Sequence, residues 1–222
     1  MKLLSVNLGH PSPVPYTSQP DGVTGIDKRP ADGPVRVAAP GPKGSAGAGS
    51  PGTPCATRAT TAGDDQAVYA YAREDLDEWE RTLGSIAGQR LLRREPDDGR
   101  AGRLRGADRR ALRIGSGVVL EVTSGRIPCK TFQGHLGESG WVRRFTQKGA
   151  TGAYLRVIEP GEIQAGDPVE IVHRPDHGVT AAMQFRAVTT ERELLPRLLA
   201  AGEALHAETL AKAREYVARH GA

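Results

Sequence analysis

Ser124–Phe132 reads SGRIPCKTF and follows the apolar run Val118-Val119-Leu120-Glu121-Val122. It places a thiol, Cys129, between two cations, Arg126 and Lys130, directly after a proline. The thiolate is the form of cysteine that attacks and binds metals, and neighbouring cations favour it. Soft sulfur also suits thiophilic metals. From spacing alone, a lone cysteine after a strand is more often a small buried residue.

Other candidate groups are weaker. His135, His173 and His177 match no zinc-ligand spacing. The glycine-rich GPKGSAGAGSPG lacks the Gly-Lys-Ser/Thr ending of a phosphate loop. Cys55 lies in SAGAGSPGTPCATRATTAG, a stretch of small residues and prolines with little to bury. The net charge of +4 invites a nucleic-acid reading. The excess is local, however: Gly88 to Arg113 holds nine arginines against four acidic residues, and the rest of the chain is near neutral.

The elements that must hold Cys129 follow from pattern. The chain has 222 residues, 38% hydrophobic, with 28 glycines and 16 prolines, which suits one domain and an appendage rich in turns. No apolar run reaches membrane-span length, and MKLLSVNLGHPSP is too short and polar for a signal peptide. Two cysteines give no disulfide framework, so a cytoplasmic location is expected. Alternation predicts strands at Lys2–Leu8, around Val119, at Tyr154–Ile158 and at Val169–His173. Two further strand-like pieces flank the turn Ala31-Asp32-Gly33-Pro34. Val68–Tyr71 is β-prone and leads into a helix carrying Leu76, Trp79 and Leu83 on one face, with Gly84 as its stop. Trp141–Lys148 reads as a short helix. Many short strands predict a mainly β barrel. From Thr189 the period turns helical, opening on a capping box of Thr190 with Glu193 and breaking near Pro196 and Gly202. Leu210, Ala213 and Val217 share a later helix face that Gly221 can end.

The blocks TGIDKRP, DQAVYAYAREDLDEWE, SGRIPCKTF and GWVRRFTQKGATGAYLRVIEPGEIQAGDPVEIV, in this order, resemble the MOSC-domain family. The name comes from the C-terminal domain of molybdenum cofactor sulfurases. The likeness is to the stand-alone bacterial branch associated with resistance to N-hydroxylated purines, which carries a C-terminal helical extension. The resemblance implies a MOSC-type β-barrel over 1–188 and the extension over 189–222. It also implies a molybdenum–pterin cofactor, with Cys129 as metal ligand and catalytic residue or as sulfur carrier, and reduction of N-hydroxylated compounds such as hydroxylaminopurine. Lys28, Arg126, Tyr154 and Arg156 are the matching cofactor-binding positions. Arginine suits phosphate and carbonyl oxygens because it can donate two parallel hydrogen bonds. A reductase of this kind needs an electron-donor protein, since no flavin, haem or iron–sulfur motif is present. Pyridoxal phosphate belongs to a desulfurase domain that this chain lacks. A sulfurtransferase working through a Cys129 persulfide and a non-catalytic cofactor-binding module are the alternatives. A small-molecule substrate is expected, with neither membrane nor nucleic acid as partner, and a homodimer is left open.

Two family blocks are missing. A His-His-Gly-Gly step is expected before DQAVYAYA, and a Gly-Glu-Asn-Leu-Thr block after the helix. Read one base along in G/C-rich codons, Arg93–Leu112 gives Gly-Glu-Asn-Leu-Thr-Thr-Ala. Read two bases along, Gly47–Ala62 ends in His-His-Gly. Segments 47–63 and 85–113 are therefore expected to be out-of-frame translations, poorly ordered and leaving a gap in the barrel. Two flexible insertions rich in Arg, Gly and Pro are the competing explanation. On the frame-shift reading the arginine cluster is a by-product of G/C-rich codons, and Cys55 loses its claim as a partner for Cys129.

Overall fold

A computed structural model describes residues 1–41, 63–83 and 109–221. In chain order the strands are β1 (Asn7–Gly9), β2 (Ser12–Pro13), β3 (Val23–Thr24), β4 (Lys28–Pro30), β5 (Val35–Val37), β6 (Val68–Ala70), β7 (Ala111–Ile114), β8 (Val118–Ser124), β9 (Ala153–Glu159), β10 (Gly161–Ile163) and β11 (Val169–His173). The helices are α1 (Arg73–Leu83), α2 (Lys130–Leu136), α3 (Trp141–Lys148), α4 (Ala181–Thr189), α5 (Leu195–Leu198) and α6 (Ala207–His220).

Five strands form the main sheet in the order β11-β7-β8-β9-β6, and β1-β4, β2-β3 and β5-β10 are separate antiparallel pairs. The described strands thus make a sheet-rich core of the expected class, with no pairing among them that closes a ring. Strand β8 is central and five of its seven residues are buried, so apolar side chains point to both faces. That is what the run Val118–Val122 requires. Leu3, Val6, Val35, Val37 and Ile163 cover the sheet as part of one continuous core. The strand expected at Lys2–Leu8 is confined to Asn7–Gly9; Lys2 instead makes an isolated bridge to Pro168, while Leu3 and Val6 are buried. The pieces flanking Ala31–Pro34 do not pair with each other: β4 joins β1 and β5 joins β10.

Residues 109–113, placed by sequence in the second out-of-frame window, belong to the fold from Ala111 onward. Strand β7 pairs with β8 and β11, with Leu112 and Ile114 buried and Arg113 exposed between them. This alternation is the signature of a half-buried strand. Segments 47–62 and 85–108, Cys55 and the helix stop at Gly84 lie outside the described residues.

The helical extension starts ahead of position 189. Thr180 caps α4, accepting a hydrogen bond from the Met183 amide at 3.0 Å. Thr190 closes this helix rather than opening the next, its amide bonding to the Arg186 carbonyl at 2.9 Å because α4 runs on to Thr189. Val179, Ala187, Leu195, Leu198, Ala201, Leu205 and Ala213 form the extension's own core. Pro196 sits at the start of α5, where its missing N–H costs nothing. The break falls at Gly202, whose φ of 52° and ψ of −129° leave the helical region.

Candidate functional site

An aromatic block holds Cys129 in place. Tyr71, Trp79, Phe132, Trp141 and Phe145 are all buried and gather α1, α2 and α3. Trp79 lies 4.6 Å from Trp141 between ring centroids, and Phe132 meets Trp141 edge-on at 5.3 Å. The Trp79 indole donates to the Tyr71 hydroxyl at 2.8 Å, and Tyr71 in turn donates to the Ala150 carbonyl at 2.8 Å. Burial pushes the Tyr71 phenol well above its ordinary value, so it remains a donor. Tyr69 donates to the Thr151 carbonyl at 2.8 Å. The loop Ala150–Gly152 is therefore clamped by two tyrosines of one strand region. Gly152, at φ 63°, sits so close that a Cβ there would lie 2.5 Å from the Ala70 carbonyl oxygen.

This loop also steers the segment that carries the thiol. A Cβ on Gly125 would lie 2.5 Å from the Thr151 hydroxyl, so only glycine lets the chain leave β8 at this point. Cys129 then precedes α2 as its N-cap, exposed, with its side chain making no cap hydrogen bond. The helix α2 was not foreseen in the sequence, because Gly134 interrupts its pattern. The glycine is needed because a Cβ would lie 2.5 Å from the Tyr16 side chain packed there.

Arg126 lies in the same turn. Its guanidinium carbon sits 4.6 Å from the Phe132 ring centroid and 5.1 Å from that of Tyr69. Its Nε is buried without a hydrogen-bond partner. Among the described residues it forms no ion pair with a carboxylate. Burial alone would lower its proton affinity, but Tyr154, Tyr69 and Cys129 together outweigh that effect and hold it charged. His135 stands nearby: burial lowers its proton affinity, Asp27 opposes this, and Arg126 adds to it. Its Nε2 is also buried without a partner. Lys28 pairs with Gly9 across β1 and β4, and a Cβ on Gly9 would lie 2.9 Å from the lysine Nζ. The preceding Ile26 packs on the aromatic block, which brings the Lys28 loop to the α2 side.

Tyr154 and Arg156 lie on β9. The Tyr154 ring meets that of Tyr69 at a tilt, 5.2 Å between centroids, and lines a cavity of about 620 Å³ that also borders Ser124, Gly125 and Ile127 of the Arg126 turn. Arg156 lines it too, but is held by Asp65 at 2.9 Å and by Glu121 at 3.6 Å. Glu121 is its cross-strand neighbour in the β8–β9 register. The opposite wall comes from the extension, with Gln184, Phe185, Val188, His206 and Glu208. The structure thus places Arg126 and Cys129 in one turn, joins Tyr154 to it through Tyr69, and sets Arg156 on the cavity that this turn borders. Sequence reasoning missed Tyr69, Phe132 and Gln184; the first two carried only generic aromatic signals, and Gln184 none. Among the described residues no group of three or more His, Cys, Asp or Glu is placed to hold a metal. No helix among them is long and apolar enough to cross a membrane.

A sheet-rich body with three short helices beside a strand-end cysteine, and a helical extension behind it, defines the class. The family model of the MOSC domain matches residues 57–170. The chain belongs to the MOSC domain family, which is known for binding the molybdenum cofactor. Among its relatives, the uncharacterized protein YflK of Bacillus subtilis is 28% identical over 194 residues, spanning 83% of this chain and 79% of the relative. The crystal structure of YiiM from Geobacillus stearothermophilus superposes with a TM-score of 0.70 at 21% identity, covering 97% of this chain and 98% of that one. YiiM from Escherichia coli gives a TM-score of 0.60 at 18% identity, over 97% and 92% of the two chains. At these identities the two structures establish the shared fold.

Proposed function

We propose that this protein binds a molybdenum–pterin cofactor beside Cys129 and uses it to reduce N-hydroxylated compounds such as hydroxylaminopurine. The observation that carries this reading is Arg126: a half-buried arginine set over two aromatic faces, its Nε enclosed without a partner, three positions before an exposed thiol. A half-buried cation with no carboxylate paired to it among the described residues calls for an anion, and a pterin phosphate or its carbonyl oxygens supply one. Such a group fits the residues present. Cys129 would ligate the metal, Arg126 would bind an anionic or carbonyl oxygen, and the Lys28 loop would add a second cation. The cofactor, when bound, supplies a metal able to deliver two electrons.

The reaction turns an N–OH into an N–H and water, consuming two electrons and two protons. The electrons come from a donor protein. This chain's own part is to hold the ligand, keep Arg126 charged, and shelter one side with the Tyr69–Phe132 rings. Tyr154 and Arg156 line the substrate side of the arrangement. A cytoplasmic location accords with a reductase that draws on a soluble electron donor and with an exposed thiol that must stay reduced.

The test is metal and pterin analysis of protein expressed from a resequenced gene, with Cys129→Ala alongside. Stoichiometric molybdenum and at least a hundredfold loss of hydroxylaminopurine reduction in the variant support the reading. Full activity in the variant sinks it. The exposure of Cys129 also favours a second reading, sulfur transfer to a partner protein. A persulfide on purified Cys129, seen by mass spectrometry together with absent reductase activity, would establish that instead.

A further inference from the structure

An arginine that receives an anion does so best when its fork is held before the anion arrives, because every bond left free to swing must be frozen on binding. Arg126 is held at both ends. At the backbone end, Gly125 passes Thr151 so closely that a Cβ would lie 2.5 Å from the threonine hydroxyl. Thr151 is only 3% exposed and its hydroxyl donates to the Gly152 carbonyl at 3.0 Å, so it has no room to yield. At the head end, the guanidinium carbon lies 5.1 Å from the Tyr69 ring centroid and 4.6 Å from that of Phe132, within reach of cation–ring attraction.

The two rings are not equivalent. Phe132 belongs to α2, the helix that Cys129 precedes as N-cap, so it ties the arginine to the thiol's own segment. Tyr69 belongs to β6 and pairs with Tyr154 in the β6–β9 register, which ties the arginine to the main sheet. The Tyr69 hydroxyl donates to the Thr151 carbonyl at 2.8 Å, on the same residue that Gly125 must pass. Burial raises the Tyr69 phenol, with Arg126 opposing, and the group stays a neutral donor. The Tyr154 ring at 5.2 Å and the Tyr71 ring at 6.1 Å flank it and set its plane. Tyr69, Thr151, Gly125 and Arg126 therefore close a circuit of contacts drawn from three separate stretches of chain.

We propose that Tyr69 is the positioning residue of Arg126: its ring, pinned through the hydroxyl to Thr151, fixes the guanidinium where an anionic oxygen beside Cys129 is received. That the oxygen belongs to a pterin rests on the function proposed above. The positioning itself is read with sulfate, which needs neither metal nor turnover.

Sulfate is titrated into the cofactor-free full chain while the nitrogen-15 resonance of the Arg126 Nε–H is followed. Sulfate should move that resonance to saturation in the wild type, and Arg126→Met should abolish the binding. Tyr69→Leu should weaken sulfate about fivefold or more, since the ring's hold on the cation is lost. It should also shift the Arg126 Nε–H resonance in the sulfate-free protein, because the ring current of the tyrosine is gone; a residue that merely supports the fold would not move it. Tyr69→Phe keeps the ring and should bring affinity back to within about threefold of the wild type. Should Tyr69→Leu fail to fold, Tyr69→Phe is compared with its pentafluorinated form, which has nearly the same shape and a reversed quadrupole, and sulfate should bind the fluorinated protein severalfold more weakly. A Tyr69→Leu protein that binds sulfate as the wild type does overturns the proposal, and so does an Arg126 resonance indifferent to the ring. Sulfate binding that survives Arg126→Met, or its absence from the wild type, overturns it as well. The expected ranking of variants in a protein that takes up no molybdenum would count against the function above and leave Tyr69 in its role.

Discussion

Arg126 and Arg156 stand in neighbouring parts of the sheet yet are used in opposite ways. Arg126 is enclosed by the rings of Tyr69 and Phe132, with no carboxylate paired to it among the described residues. Arg156 lines a cavity but is paired with Asp65 at 2.9 Å, with the Glu121 carboxylate 3.6 Å from its Nε. The lesson is that an arginine in a pocket is a ligand for anions only where its neighbours leave its charge unspent. The two arginines differ in this respect although the turn that carries Arg126 borders the cavity that Arg156 lines.

The aromatic block that creates the first space can be broken outright. Trp79→Ala should cost about 3–5 kcal/mol of unfolding free energy, the usual cost of emptying a large buried ring. Its indole also anchors Tyr71, which clamps the loop behind Arg126. Urea unfolding would measure the loss, and a change below about 1 kcal/mol would remove the block from the explanation.

Arg126→Met separates binding from stability. Charge-assisted hydrogen bonds contribute about 1.5–3 kcal/mol, so molybdenum–pterin affinity should fall roughly tenfold to a hundredfold. The cofactor-free variant should lose no more than about 2 kcal/mol, the usual size of the cation–ring contacts it gives up with Tyr69 and Phe132. Retention of cofactor would contradict the contrast between the arginines. The matching change, Arg156→Met, should leave cofactor content within about twofold. It should cost only about 1 kcal/mol or less in stability, since its pair with Asp65 is partly open to solvent.

The smallest effect concerns His135. Its folded-state proton affinity is lowered, chiefly by burial, so in the window below the ordinary histidine value the unfolded chain binds more protons than the folded one. Its contribution to stability is therefore complete above about pH 6.5 and is lost as pH falls. His135→Gln should flatten that part of the stability profile, and an unchanged slope would show that other groups cause it.

Much of this was legible in the residues. The run Val118–Val122 specified a strand buried on both faces, and the spacing of Leu76, Trp79 and Leu83 specified α1. Trp141–Lys148 and Val169–His173 fall where their patterns place them. Family likeness, rather than any local pattern, singled out Cys129 and Arg126. What was not legible depends on contacts distant in sequence. No spacing announces that Gly125 must pass Thr151, or that Asp65 reaches Arg156. The capping-box reading of Thr190 failed because the helix before it, mixed in pattern, gave no warning that the position was already its end. Gln184 could not stand out, since a lone glutamine on a helix is ordinary until its carbonyl is seen to be buried and idle.

The wall that Gln184 and Glu208 contribute has a consequence in time. Chains fold as they are made, from the N-terminus, at about 5–20 residues per second. The sheet wall, with Asp65 and Arg156, leaves the ribosome before the opposite wall exists. The nascent body therefore passes through an interval as an open half-shell, with Phe185's seat on the sheet uncovered. The cavity is therefore complete only once synthesis has run through Thr209.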